Sequence, residues 1–438
     1  MSIRTSRTSR AARAALPILL IALCSLPATA LAAPTLVQIA REFTGGLMWL
    51  DPGQFPALSE DGTVAFVGSD DFDVFDGTHV FVGDGGALTK LDFSTASLSN
   101  VTALAVTDLG QVMIGATHAG VPNYRGVYTT TVATGTFATY YEGAVQMPMQ
   151  GVPTPVNYNA AMAQNGTIAF STIVNGFGGI YRGAFGGAPS VLRAGSGTFY
   201  NTMRIDVNDA GQVPAQMEYF DPTAGLTRAI LLSETPGQTL QASDTALERL
   251  GIGAQPQPVI NGLGQVAFSY NGTLTMRFFD PPGVSGPVYE EVVLPPGVYI
   301  SEPGPWSIAK HPTLIAGNAN GYTDFGRVDL NDMGEVAFEA TANGEHGVFV
   351  GPDPVADKVL ASGDVRGNQL FSIVGLGELN NAGEISIWTS DFNSTDRQVW
   401  RVDGTFDPPP PPPPPPTPRP IDRIRELIRL ILRAIFGR

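Results

Sequence analysis

Four histidines, His79, His118, His311 and His346, are the side chains best suited to moving protons near neutral pH, and they are scattered along the chain. No HExxH zinc helix, GxSxG nucleophile elbow or phosphate-binding P-loop accompanies them, so three common hydrolase and nucleotide chemistries lack their signatures. The single cysteine, Cys24, sits in an apolar run near the amino terminus, which leaves the rest of the chain without a thiol. Within Ser69–Gly77, Asp70, Asp71, Asp73 and Asp76 could gather oxygen ligands for calcium; the spacing and closing Glu of an EF-hand are missing, and a solvated loop is the simpler reading. Between Pro295 and Phe325, a Gly/Pro-rich interval carries Trp306, Lys310, His311 and Tyr322, the candidate ligand-binding residues on what reads as a long loop. No residue is assigned a catalytic role and no cofactor is expected. Binding fits these groups better than catalysis.

The elements that must position these groups are short. The chain has 438 residues, with 51 Gly and 36 Pro and only 15% charged residues, which argues against a helical bundle and for many strands joined by turns. Arg4, Arg7, Arg10 and Arg13, then the apolar run Leu16–Leu26, then the small residues Ala28–Ala33 follow the order of a secretory signal peptide, expected over residues 1–32. Export without cysteine means stability without disulfides. The 25 basic residues include four in that signal and six in the last 31 residues, leaving 15; the 40 acids include two in the tail, leaving 38, so residues 34–407 carry a net charge of about −23. Such a surface repels phosphate backbones, and nucleic acid is not an expected partner.

One segment recurs seven times: SEDGTVAF from Ser59, TDLGQVMI from Thr107, AQNGTIAF from Ala163, NDAGQVPA from Asn208, NGLGQVAF from Asn261, NDMGEVAF from Asn331 and NNAGEISI from Asn380. The glycines are 48, 56, 45, 53, 70 and 49 residues apart, the size of a four-stranded unit. Asn with Gly three residues later, as at Asn208/Gly211, Asn261/Gly264, Asn331/Gly334 and Asn380/Gly383, fits a hairpin turn of type I, the side-chain oxygen accepting a backbone N–H and Gly allowing positive φ. After each Gly comes a polar residue and then a β-branched one. Two residues later a large apolar side chain follows in six copies, so one face of this strand is expected to be buried. Pro214 in the fourth copy predicts a bulged or poorly paired strand.

Third strands are expected at HVFV, GVYT, GIYR, RAILL, LTMRF from Leu274, GVFV and QVWRV, and fourth strands in six copies, among them YEEVVL from Tyr289. The seventh copy lacks a fourth strand, and Leu36–Arg41 is an unclaimed one. The fold expected over residues 33–407 is therefore all-β: a seven-bladed β-propeller whose last blade is closed by the amino-terminal strand, with an open solenoid or a string of sandwiches as competitors. A propeller can also host glycoside chemistry on two carboxylates in its central funnel, so a glycan-acting hydrolase or lyase is the alternative function; no pair can be chosen from the sequence.

These copies resemble the tandem NxxGxxAF repeat of exported bacterial proteins of the choice-of-anchor type. Asn261, Gly264, Ala267 and Phe268 match that pattern, as do Asn331, Gly334, Ala337 and Phe338; the other copies match in part. The resemblance spans roughly residues 36–403. It implies a protein at the cell surface or outside the cell, with no catalytic residues to transfer.

Residues 408–420 open with nine prolines, Pro408–Pro416, a semi-rigid spacer of about 28 Å. In residues 421–438, isoleucines at 421, 424, 428, 431 and 435 have helical spacing, with Arg425, Arg429 and Arg433 along one side. An amphipathic cationic helix is expected there. Contact with an anionic membrane surface, self-association and removal as a sorting tag are its three readings. The expected partner of the body is an extracellular ligand, glycan or protein.

Overall fold

The computed structural model describes residues 35–404 outside the segments 45–46, 48, 52–54, 71–77, 92–97, 119–123, 145–158, 175–176, 194–198, 222–224, 234–238, 245–257, 280–288, 304–310, 367–368 and 392–395. The signal region, the polyproline spacer and the tail lie outside the described residues. Among the described residues the fold is that of an all-β propeller, with helix confined to a single 3-10 turn at Asn318–Asn320.

Each repeat forms the hairpin at the inner side of a sheet. In all seven copies the Gly N–H donates to the carbonyl of the residue three before it, at 2.8–3.2 Å, and the Gly φ lies between +65° and +84°. This is a type I turn followed by a left-handed residue, a conformation Gly adopts at little steric cost. Both faces of the strand after the turn are buried, not one: Val64, Phe66 and Ala65 are as inaccessible as Val336, Phe338 and Ala337. The second strand stands in the middle of its sheet with a neighbouring sheet on either side, so the alternation of a half-exposed strand does not apply.

Six sheets have the four or five strands of a propeller blade. The expected ring of seven like blades is corrected at the fourth unit, whose sheet has six strands. Leu274–Phe279 and Tyr289–Leu294 are strands, but they pair with each other and add to the outer edge of Thr239–Asp244 instead of completing the fifth sheet. The fifth sheet is completed by Gly297–Ile300 and Thr313–Gly317. An inserted hairpin thus accounts for the 70-residue interval between Gly264 and Gly334. Much of the expected loop after Pro295 is sheet. Met276 and Leu294 of the hairpin pack against Phe268 and Tyr299 of the fifth sheet, which rewards the insertion with buried apolar area.

Pro214 also departs from expectation. Val213–Asp221 keeps an unbroken register with Gly225–Ser233, and the Pro214 carbonyl accepts the Asp206 N–H at 3.2 Å. The missing N–H points toward that same inner neighbour, so one bond of one pair is lost and the outer pairing is untouched.

Apolar clusters lie between consecutive sheets all round the molecule, and the last joins the seventh unit to the first. There Ile39, Ala40 and Val399 meet Leu58, Val64, Phe66 and Phe81. Thr35–Arg41 pairs antiparallel with Gln398–Asp403, Thr35 opposite Asp403 and Arg41 opposite Gln398. Gln38 donates to Gln398 at 2.6 Å, and Arg41 holds both carboxylate oxygens of Asp396 at 2.7 and 2.8 Å. The amino-terminal strand closes the sheet of the last unit.

The turns also hold one another. Asn208, Asn261 and Asn331 each donate one Nδ2 hydrogen bond to the Gln or Glu four residues on and another to the first carbonyl of the next turn, at Asn261, Asn331 and Asn380; Asn380 passes the ring to Ser59. Their Oδ1 atoms accept N–H groups of their own turns. Only Asn supplies this combination of acceptor and two donors. Thr107 has no amide to give, and Gln111 Oε1, the atom that would receive it, is buried without a partner. Replacing Thr107→Asn is expected to stabilise the protein by about 1 kcal/mol by serving Gln111 and the next turn's carbonyl. Urea denaturation would measure it; an unchanged or lower midpoint would show that the Asn bonds are incidental.

Candidate functional site at the axial mouth

The residue after each turn's first position points around one end of the central axis. In order these are Glu60, Asp108, Gln164, Asp209, Gly262, Asp332 and Asn381. Glu60, Gln164, Asp209, Asp332 and Asn381 line a cavity of about 140 Å³ whose floor includes Val207, Ile260, Leu330 and Leu379. The lining contains three carboxylates and no Lys, Arg or His.

Each mouth acid has a backbone partner in the preceding turn: Asp61 N–H donates to Asp108 at 2.8 Å, Asn165 N–H to Asp209 at 2.9 Å, and Gly262 N–H to Asp332. Asn381 gives its N–H and its side-chain amide to Glu60 at 2.7 and 3.0 Å. A carboxylate has room for about four hydrogen bonds, so acceptor capacity remains. Burial holds the Glu60 carboxyl above its ordinary range; the Asn381 N–H opposes this, and repulsion from Asp108, Asp332 and Asp209 adds to it. The mouth concentrates negative potential. Arg182 and Arg401, on the same face, are committed to the carbonyls of Gly211 and Gly62.

A second set of acids lies on the first strands of units four, six and seven, two residues before the turn. Asp206 accepts Ile260 N–H at 2.8 Å, Asp329 accepts Leu379 N–H at 2.5 Å, and Glu378 accepts Leu58 N–H at 2.7 Å. Each acid therefore pins the first strand of the next unit. Their surfaces are partly accessible from the axis while protein encloses them, and burial pushes them up to about 6, 7 and 8 respectively. Arg327, stacked on Phe55 at 4.5 Å, draws all three down. Asp206 and Asp329 repel Glu378. Among the described residues, no group of three or more His, Cys, Asp or Glu is arranged to hold a metal.

The expected ligand residues do not converge. Trp306 and Lys310 lie outside the described residues, and His311 is part-buried ahead of Thr313–Gly317. Tyr322 is fully buried between Phe338 and Phe349 and donates to the Gly351 carbonyl at 3.1 Å, which makes it a core residue instead of a binding surface. Of the calcium candidates, Asp71, Asp73 and Asp76 lie outside the described residues. Asp70 is paired with Lys90 at 2.7 Å and faces His79 Nε2 at 3.4 Å, so a cation already neutralises it. The signal for the axial acids was available one step upstream of the aligned motif: Arg204-Ile-Asp206 and Arg327-Val-Asp329 precede Asn208 and Asn331 by the same offset.

No family model matches this chain, and no curated protein matches it. Solved structures similar to it include a prolyl endopeptidase, at 12% identity over 83% of this chain and 52% of that one with a TM-score of 0.47. The β-propeller domain of the Trilobed protease from Pyrococcus furiosus is similar at 13% identity over 68% and 81%, TM-score 0.43. A putative gluconolactonase is similar at 11% identity over 85% and 93%, TM-score 0.34. The chain spans about half the length of the prolyl endopeptidase and of the Galerina marginata prolyl oligopeptidase B structures it matches.

Proposed function

We propose that this chain is an exported binding propeller, displayed at the cell surface, whose axial mouth receives the cationic group of an extracellular ligand. The observation that carries the reading is the mouth itself: Glu60, Asp209 and Asp332 line a cavity of about 140 Å³ with no basic side chain in its wall. A cavity of this size suits an ammonium or guanidinium group at the end of a longer molecule. The signal-like amino terminus and the likeness to NxxGxxAF repeats support export. A polyproline spacer and a cationic amphipathic helix over residues 421–438 would bring the body to an anionic membrane surface.

The second reading, a glycan-acting hydrolase, is favoured by one observation, the axial carboxyls Asp206, Asp329 and Glu378 held near neutral values. Each of them already serves a backbone N–H of the next unit, a structural duty that weighs against it.

Calorimetric titration with spermine, beside a glycan array, tests both on the chain from Ala33. Salt-sensitive spermine binding is expected, weakened about tenfold or more by Glu60→Gln with Asp209→Asn and Asp332→Asn. Binding of equal strength in that variant would remove the mouth from the function, and a neutral glycan bound and cleaved would favour the hydrolase.

A further inference from the structure

The acid mouth is not polar to its rim. The third residue of each repeat is the turn tip, and three tips carry large apolar side chains that stand in solvent: Leu109 at 74% exposure, Leu263 at 59% and Met333 at 70%. One face of the molecule therefore presents carboxylates at its centre and apolar tips around them. Exposed apolar groups gathered beside a charged cavity mark an interaction surface.

The chain leaves the fold on this same face. Gly404, the last described residue, packs its carbonyl against the turn glycine Gly383, 3.0 Å from where a Cβ would stand. Beyond it, residues 419–438 hold Arg419, Arg423, Arg425, Arg429, Arg433 and Arg438 against Asp422 and Glu426, and their isoleucine spacing predicts an apolar stripe flanked by arginines. Charge and apolar surface are thus complementary in kind and lie at the same end of the molecule. The nine-proline rod is about 28 Å long, and an 18-residue helix is about 27 Å. A reversal at Thr417–Pro420 would lay the helix back over the face from which the chain left.

We propose that residues 421–438 dock in cis across the turn tips, arginines toward Glu60, Asp209 and Asp332 and apolar stripe toward Leu109, Leu263 and Met333, closing the mouth to other cations. This rests on reading the mouth as a cation site, and it makes the tail a regulator of that site. An anionic membrane that captures the tail would open the mouth.

The test compares the full chain from Ala33 with the same chain carrying Arg425→Glu, Arg429→Glu and Arg433→Glu. Hydrogen exchange of the turns 107–112, 261–266 and 331–336 is expected to be slower in the native chain, independent of protein concentration and lost at high salt. Spermine is expected to bind the tail variant about tenfold more tightly, and vesicles rich in phosphatidylglycerol to speed exchange of the turns in the native chain only. Equal turn exchange in the two chains overturns the docking, whatever the tail does with vesicles. Protection that grows with protein concentration also overturns it, in favour of association between copies. Spermine binding in both chains with equal affinity and equal exchange would sink the docking while leaving the cationic mouth intact; protection of the turns without any spermine binding would sustain the docking and sink the mouth as a ligand site.

Discussion

Deleting Thr35–Arg41 is expected to lower the melting temperature by about 10 °C or more, or to abolish cooperative melting. The strand contributes six paired positions along Gln398–Asp403, the bidentate Arg41–Asp396 contact and the buried side chains of Ile39 and Ala40. At about 1 kcal/mol for each net hydrogen bond and about 1–3 kcal/mol for each buried aliphatic side chain, the loss is comparable with the 5–15 kcal/mol that holds a typical fold together. It would also strip the edge of Gln398–Asp403, exposing unpaired backbone to association. Differential scanning calorimetry measures the first effect and light scattering the second. Supplying the same seven residues after Gly404, through a short turn, is expected to restore most of the melt because the strand would return to the same edge. A deletion that melts like the parent chain would mean that the seam between the chain ends is not what keeps the molecule closed.

Stability is expected to fall as pH rises from about 5 to about 8.5, the reverse of the behaviour of a protein held by salt-bridged carboxylates. The sign follows from Asp206, Asp329 and Glu378. In the unfolded chain such groups titrate near 4; in the fold they are raised to about 6, 7 and 8 by burial, with mutual repulsion adding to the last two and Arg327 opposing it in all three. A raised acid contributes stability that is fully present below its unfolded value and is lost as pH climbs through its folded one, so the loss runs across pH 4–8. Solvent on the axis moderates it, and a net effect on the order of a few kcal/mol is expected. Asp61 and Asp70, held low by hydrogen bonds from Ser59, Thr63 and Lys90 despite some desolvation, act oppositely but only below about pH 4. Asp206→Asn with Asp329→Asn and Glu378→Gln keeps an oxygen for each backbone N–H and removes the charge. This variant is expected to melt higher than the parent at pH 8.5 and with a flatter pH profile. A parent melt that is flat or rising over pH 5–8.5 would show that these acids ionise freely.

Much of the architecture was legible because repetition lets copies of one chain serve as one another's comparison. The Asn-to-Gly spacing yields the turn, and the β-branched and large apolar positions yield the second strand. The unpaired seventh unit and the spare Leu36–Arg41 yield the closure. The fifth unit was misread for a physical reason: Leu274–Phe279 and Tyr289–Leu294 have the alternation of good strands, and alternation specifies a strand without specifying the sheet that receives it. Tyr322 was misread because an aromatic in a Gly/Pro-rich stretch looks exposed, whereas its hydroxyl reaches Gly351 and its ring fills a space between two phenylalanines. The axial acids were missed since their role depends on the neighbouring unit: Asp329 is an ordinary strand residue until Leu379 N–H stands opposite it. Contacts between units are a property of the closed circle and leave little trace in any one copy.

The turn-to-turn bonds have a direction, each unit giving an N–H or amide forward to the next, from the third unit through the seventh and on to the second. Between the second and third units, among the described residues, no such bond spans Thr107–Gly110 and Ala163–Gly166. The polypeptide is thus fastened hardest where its own ends meet and least in its interior. A molecule built this way breathes from the middle of its chain, and a re-cut version with its native ends fused and new ends placed between Ala144 and Ala160 would sever none of the inner rivets.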